Sequence, residues 1–160
     1  MIQKFRVFAK AGVKPVYGGW NDTDQMFYEI NYIDFYDKEV TVWGCHNKDC
    51  GTCDDTYKME DVEIMMSTGI KDKNGVDVFG GDYLSLISFE DNREYKGHVE
   101  FTRGSFCMVT RLKGHDYKIP INELLWIDDS MEVLGNIYEN PELLDTKPYL
   151  NESGELEWNN

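Results

Sequence analysis

The sequence lacks most of the features that would assign a chemistry to it. No apolar run approaches the roughly 20 residues that a membrane-spanning helix needs. No N-terminal stretch combines a charged start, an apolar middle and a small-residue cleavage site. No nucleophile elbow, H-E-x-x-H, P-loop or G-x-G-x-x-G is present among the 160 residues. These absences predict a cytoplasmic protein that is not an enzyme, does not enter a membrane and carries no cofactor.

Basic residues are few, 16 against 30 acidic ones, and the formal net charge is −14 at pH 7. The excess acid lies in residues 21–65 and 121–160, which each carry a net charge of −9, whereas residues 66–120 are balanced. Such a surface repels the phosphate backbone of nucleic acids, so nucleic acid is an unfavourable partner. The acidic face either keeps the protein soluble or is offered to a basic partner.

Aromatic residues, by contrast, are abundant at 14% and recur inside alternating runs, which favours β structure. Turn-rich breaks of three or four residues separate four such runs, and a further run follows later. The runs are residues 83–89, 95–101, 105–112, 117–121 and 131–138. This pattern predicts a mainly β protein built on a small, partly closed antiparallel barrel of SH3-like or OB-like size. Earlier in the chain, the aromatic and β-branched residues from Met26 to Val42 predict two strands with a turn near Asp37 and Lys38. Met59 to Thr68 fits both strand and helical spacing, and we interpret it as a strand that follows one helical turn at Met59 to Asp61.

The chain divides into three predicted parts. Residues 1–66 form an N-terminal β-rich subdomain with a cysteine-containing loop, 67–145 form the small barrel and a short closing helix, and 146–160 form an acidic tail. The helix is predicted from Asn140, a good N-cap, followed by Pro141 at the first helical position. The tail is either flexible or an arm that docks Leu156 and Trp158 on a neighbouring subunit. We expect the protein to form a homo-oligomer.

Two glycine-containing turns organise the region around residue 75. Asn74 and Gly75 both tolerate positive φ and lie between short β-prone segments, so they predict a two-residue type I′ hairpin turn. Gly80 and Gly81 then open the longest alternating run, where a pair of glycines can bend the backbone or let another strand approach closely. Together these residues predict the entry to a curled antiparallel sheet.

Several motifs in the chain resemble those of a known family. They are KFRVFAK near the start, KDKNG and FGGDYL around the two turns, VEFTRGSFCMV in the barrel and the closing EVLGNIYENPELL. Together they resemble the YopX family of phage and prophage proteins. The resemblance implies a phage-encoded protein located in the cytoplasm of the host cell, and it implies no activity, because the family's function is unassigned.

The cysteine-rich segment from Gly44 to Asp55 offers a candidate zinc site. Cys50 and Cys53 have the C-x-x-C spacing at which two thiolates reach one tetrahedral zinc ion, and Cys45 with His46 is a potential second pair. All four candidates fall within nine residues, whereas a zinc site usually draws its second pair from a more distant element. The alternatives are a structural zinc site, a redox pair and a plain polar loop, and the loop is the interpretation that we favour.

The barrel turns carry the residues for an alternative, nucleic-acid-binding function. Arg103, Arg111, Lys113 and Lys118 cluster there, with aromatic residues nearby as possible stacking platforms. Equal numbers of acidic residues lie in the same region, so the alternative interpretation is that the two signs neutralise each other. We therefore favour a non-enzymatic phage or prophage accessory protein, a protein-interaction module whose acidic surface binds a basic host or phage protein. The alternative is a nucleic-acid-binding barrel with a local basic face.

Overall fold

The computed structural model describes residues 3–10, 12–18, 27–43, 54–87, 93–112, 115–123, 131–145, 148–150 and 156–158. These residues form β-strands and short 3-10 turns, with no α-helix among them. The chain clusters into two compact units, Met1–Met66 and Ser67–Asn160. No helix within the described ranges is long and apolar enough to cross a membrane.

The first unit is an antiparallel sheet whose strands run in the order β4-β3-β2-β1-β5. The strands are β1 (Phe5–Ala9), β2 (Phe27–Asp34), β3 (Glu39–Trp43), β4 (Asp54–Lys58) and the first half of β5 (Val62–Lys71). Alternation along β3 places Val40 and Val42 on the buried face, where both are fully buried. The outer edge of β4 is covered, since Val16 N donates to Thr56 O (2.6 Å) and Thr56 N donates to Tyr17 O (2.9 Å).

The second unit contains a five-stranded antiparallel sheet in the order β10-β9-β8-β7-β11. The second half of β5 pairs with β6 (Asp77–Phe79), and the sheet consists of β7 (Asp82–Ile87), β8 (Glu94–Thr102), β9 (Ser105–Leu112), β10 (His115–Pro120) and β11 (Glu132–Asn136). Alternate residues of the central strands, Leu84, Val99 and Met108, line its core. Strands β12 (Pro148–Leu150) and β13 (Leu156–Trp158) form a separate two-stranded ribbon.

The mainly β fold predicted from the sequence is confirmed, but the predicted partial closure of the barrel is wrong. The five-stranded sheet is open, with β10 at one edge and β11 at the other. Strand β11 pairs with β7, so the last strand extends the sheet on the side away from β10. The two edge strands, β10 and β11, therefore do not pair with each other in the described part of the chain.

The predicted C-terminal helix is a single 3-10 turn, Pro141–Asp145. Leu143 N donates to Asn140 O at 3.0 Å, the i to i+3 bond of a 3-10 turn, and the segment is too short for regular α-helical bonding. Two elements were missed in the sequence. Strand β4 begins inside the segment interpreted as a polar loop, and part of the predicted tail forms the β12–β13 ribbon.

Candidate protein-interaction site

The predicted hairpin turn is built around the side chain of Asp72, which is 6% exposed. Its Oδ1 accepts hydrogen bonds from Asn74 N (2.8 Å) and Val76 N (2.9 Å), and its Oδ2 accepts one from Val133 N (3.2 Å). Burial opposes ionisation of Asp72, but these backbone donors outweigh it and hold the pKa below its usual value. The carboxylate therefore closes the turn and ties it to β11.

The turn differs from the predicted type I′ form. Gly75 has φ +80°, whereas Asn74 is not among the described residues with positive φ. Gly75 N donates to Asp72 O at 2.9 Å, and Asp72 N donates to Val76 O at 2.8 Å. This pattern is a type I turn followed by a glycine in the left-handed conformation. The Asn74 N–H donates to the Asp72 side chain, and this bond favours the type I turn over the predicted form.

Gly80 and Gly81 make the second tight turn, between β6 and β7. Gly81 has φ +87°, and a Cβ atom there would lie 2.7 Å from the Tyr138 ring, so only glycine fits. Directly after it, Asp82 accepts hydrogen bonds from Phe79 N (2.7 Å) and from Asn136 Nδ2 (2.9 Å). The FGGDYL and GNIYEN motifs thus meet through a buried side-chain pair.

The motif residues around both turns therefore hold β11 in the sheet. Besides the contacts above, Lys73 N donates to Met131 O (2.9 Å) and Lys73 Nζ forms an ion pair with Glu132 (2.6 Å). Their hydrogen-bonding groups face the protein and are used in turns and strand pairing. A binding function has to be sought on other surfaces.

The basic residues proposed for nucleic-acid binding are largely neutralised by acidic neighbours. Arg111 donates from Nε and Nη2 to the two carboxylate oxygens of Asp116 at 2.6 and 3.0 Å, and Lys118 Nζ contacts both oxygens of Glu100 at 2.8 and 2.9 Å. The hydrogen bond to Asp116 raises the pKa of Arg111, and the same bond lowers the pKa of Asp116. Two of the four predicted cations thus carry a matched anion.

Only one of the other two predicted cations lies in the described part of the chain. Arg103 is exposed in the turn between β8 and β9, where it adopts φ +52°, and Lys113 lies outside the described residues. Phe101, one of the aromatic residues near these turns, packs edge-on against Phe106 with ring centroids 5.0 Å apart. The described surface here alternates in charge, which differs from the continuous positive groove of single-strand binders.

The candidate zinc ligands Cys45, His46, Cys50 and Cys53 lie outside the described residues, so the zinc site stays a prediction. Among the residues that are described, no group of three or more His, Cys, Asp or Glu side chains could hold a metal ion. Cys107, on β9, is a buried free thiol.

A shallow cavity of about 250 Å³ lies on the face of the five-stranded sheet opposite the core. Its apolar floor and charged rim are formed by Tyr83, Val109, Leu143, Lys96, His98 and Arg111. Burial lowers the pKa of His98, against the opposing pull of Glu100 and Asp116, so the imidazole is neutral at pH 7. The cavity can accept an apolar group, but its charged side chains are engaged in ion pairs at the rim.

Among the described residues, the most exposed aromatic side chains form the tip of the β2–β3 hairpin. Phe35 is 76% exposed and Tyr36 is 93% exposed. Asp34 Oδ1 accepts hydrogen bonds from Tyr36 N (2.8 Å) and Asp37 N (3.0 Å), and Lys38 continues the turn with φ +55°. We call residues 34–38 the aromatic tip. Its backbone is fixed by its own hydrogen bonds while its two rings point away from the fold.

The aromatic tip was missed as a site in the sequence. The run of aromatic and β-branched residues from Met26 to Val42 predicted two strands with a turn near Asp37 and Lys38, and this turn is confirmed. Phe35 and Tyr36 were counted among the strand residues because both favour β structure. The available signal was an aromatic pair enclosed by Asp34 and Asp37, since aspartate at such positions predicts a capped turn.

Comparison with known proteins finds a matching family model and a similar solved structure. A family model described as YopX protein matches residues 16–145. A similar solved structure is that of protein EF1440 from Enterococcus faecalis, with 25% sequence identity, 90% of this chain and 99% of that chain covered, and a TM-score of 0.46. No curated protein matches.

Proposed function

The chain belongs to the YopX family, and on this premise we propose that it is a non-enzymatic phage or prophage accessory protein that binds another protein in the cytoplasm of the host cell. The aromatic tip is the observation that carries the proposal. Two large rings exposed side by side expose apolar area that binding would remove from water. Aromatic residues are also the side chains that most often dominate the energy of protein interfaces.

The conformation of the aromatic tip favours binding by a rigid insertion. The hydrogen bonds that Asp34 accepts fix the turn before a partner binds, so little backbone entropy is lost on association. Met59 N donates to Lys38 O at 2.9 Å, which anchors the last residue of the aromatic tip to the chain after β4. A preformed tip of this kind suits an apolar pocket on the partner.

The charge around the aromatic tip defines the partner's chemistry. Asp34 and Asp37 flank the two rings, and residues 21–65 carry a net charge of −9. A partner whose apolar pocket is rimmed by lysine or arginine would match both features. The complex is expected to weaken as ionic strength rises, because the pairing charges lie at a solvent-exposed rim.

Affinity capture from infected or lysogenic cells tests the proposal, with three forms of the protein as bait. The wild type is compared with the tip variant Phe35→Ser/Tyr36→Ser and with a matched control, Tyr32→Ser. Tyr32 lies on the same hairpin and is 55% exposed, but it is outside the aromatic tip. Circular dichroism establishes that all three forms are folded before capture.

We expect the wild type and Tyr32→Ser to retain the same basic protein, and the tip variant to lose it. With the purified partner, the tip variant should bind at least about 30-fold more weakly, which corresponds to about 2 kcal/mol for loss of a hot spot. A partner retained equally by the tip variant contradicts the role of the aromatic tip. A failure of the wild type to retain any protein in stoichiometric amount contradicts the proposed function.

A further inference from the structure

Strand β10 pairs regularly with β9, and no described segment pairs with its outer edge. His115 to Pro120 pair residue by residue with Leu112 to Cys107 of β9, without a bulge. On the other side of β10 the five-stranded sheet has no further strand within the described ranges. Each strand at a sheet edge presents unpaired N–H and C=O groups that another chain can complete.

The opposite edge of the same sheet is different. Pairing of β11 with β7 shifts register between Val133 and Gly135, so β11 carries an irregularity. Asp72 Oδ2 accepts a hydrogen bond from Val133 N at 3.2 Å and Lys73 N donates to Met131 O at 2.9 Å, so the Asp72 turn lies against the start of this strand. A bulge and a covering segment are two ways in which proteins block an edge. Strand β10 has neither of these in the described structure.

The side chains of β10 are self-complementary in one register. A two-fold axis perpendicular to the sheet keeps each face of the joined sheet continuous. Directly opposed residues of an antiparallel pair point to the same face, so the axis must lie midway between the two copies of one residue, which then face each other. An axis at Asp116 or Lys118 places like charges opposite each other. An axis at Tyr117 places Asp116 of each copy opposite Lys118 of the other, which is the favourable cross-strand arrangement.

We propose that β10 pairs antiparallel with β10 of a second copy of this chain about a two-fold axis at Tyr117, joining the two five-stranded sheets into one. The interface is isologous, so it closes as a dimer contact. Tyr117, which is 50% exposed, meets its own counterpart at the axis. His115 lies opposite Ile119 of the second copy.

The existing ion pairs extend across this interface. Arg111 already binds Asp116, and Lys118 already binds Glu100. In the paired sheet, Asp116 gains Lys118 of the second copy while keeping Arg111, so the four charges alternate in sign along a row. Side chains already held by one partner lose less conformational freedom when a second partner is added.

Charge reversal tests the register, with the full chain as the sample. In Asp116→Lys, two lysines face each other across the axis, and in Lys118→Asp two aspartates do so. Each variant alone should dissociate at concentrations where the wild type is dimeric by light scattering, with a dissociation constant raised about tenfold or more. Mixed in equal amounts, the two variants place lysines opposite aspartates at both positions, so a heterodimer should form.

A wild type that stays monomeric overturns the proposal. So do single variants that dimerise as tightly as the wild type, or a mixture of folded variants that fails to associate. The mixing step separates a broken interface from a broken fold, since unfolded variants cannot restore each other's pairing.

Cross-linking provides a second test that leaves every charge on β10 in place. Tyr117→Cys puts two thiols opposite each other at the axis, within the distance of a disulfide. His115→Cys is the matched control, because residue 115 faces residue 119 of the second copy. We expect oxidation to cross-link Tyr117→Cys into dimers and to leave His115→Cys at the wild-type level, and equal yields contradict the register. The tip variant Phe35→Ser/Tyr36→Ser should dimerise normally, so failure of the dimer and failure of the aromatic tip are distinguishable.

Discussion

Replacing Asn136 with alanine should destabilise the second unit by about 3 kcal/mol. Asn136 is 2% exposed, and its side chain makes two hydrogen bonds inside the fold. Its Nδ2 donates to Asp82 Oδ1 at 2.9 Å, and its Oδ1 accepts from Tyr138 N at 2.9 Å. The first bond connects the end of β11 to the start of β7, and the second closes the turn that follows β11.

The magnitude follows from the two bonds that the alanine removes. A hydrogen bond to a carboxylate contributes about 1.5–3 kcal/mol and a neutral one about 1 kcal/mol, and polar groups that lose a partner in the interior add a desolvation cost. The sum is about 3 kcal/mol. For a chain of this size, that corresponds to a fall in Tm of about 6–12 °C.

Asn31→Ala is the matched control for this prediction. Asn31 Nδ2 also donates to an aspartate, Asp54 Oδ2, at the same 2.9 Å, but this bond is exposed. Water replaces the lost partner at an exposed site, so the change in the free energy of unfolding should be about 0.5 kcal/mol or less. Urea unfolding of both variants, followed by circular dichroism, measures the difference. Equal destabilisation by the two substitutions would refute the reasoning that burial sets the cost.

Three further predictions follow from single sites. Gly97→Ala should lower the free energy of unfolding, measured in urea, by about 2 kcal/mol or more, because its Cβ would collide with the carbonyl of Val109. Gly104→Ala should lower it less, because its Cβ meets open space and only the φ of +83° is unfavourable. The pKa of Asp72 is lower in the folded protein than in the unfolded chain, so its ionised carboxylate stabilises the fold above the unfolded pKa of about 3.9. This stabilisation disappears as pH falls through the folded pKa. Unfolding of Asp72→Asn should therefore depend less on pH in acid than unfolding of the wild type. Single-stranded DNA should not be retarded at low salt, and neutralising Arg111 should change nothing, because Asp116 already pairs with it; retardation that Arg111→Gln abolishes would revive a basic nucleic-acid face.

The local elements could be predicted because their signals are local. Strand β9 spans Ser105–Leu112, the same residues as the alternating run that predicted it. The single turn at Met59–Asp61 and the strand that follows it were also read correctly from residue spacing. In each case a period of two and a nearby turn residue are sufficient.

The order of strands in the sheet could not be predicted because it depends on distant contacts. Strand β11 lies beside β7 through the bond between Asp82 and Asn136, which are 54 residues apart in the chain. Strand β4 was missed because it begins with Asp54 and Asp55, residues that strands usually exclude. Asp55 is nevertheless fully buried and lies against Gly18. Gly18 is distant in the sequence, so no local pattern predicts this contact.

The candidate site was missed for a related reason. Strand propensity gives Phe35 and Tyr36 the same value whether they fill a core or protrude from a turn. The hydrogen bonds accepted by Asp34 are what turn the two rings outward. Neutralisation of Arg111 and Lys118 by acidic neighbours was expected from the equal numbers of the two charges, but which acid pairs with which cation depends on the order of β8, β9 and β10.

The motifs that relate the chain to its family and the surfaces proposed for binding occupy different residues. Asp72, Gly81, Asp82 and Asn136 direct their side-chain or backbone groups to other parts of the fold, so substitutions there should lower the amount of folded protein and leave the affinity of each folded molecule unchanged. The aromatic tip and the edge of β10 make few contacts that the fold requires, so substitutions there should have the opposite effect. Substitutions at the aromatic tip and the β10 edge can therefore alter which partners the protein binds without altering the turns that hold its fold.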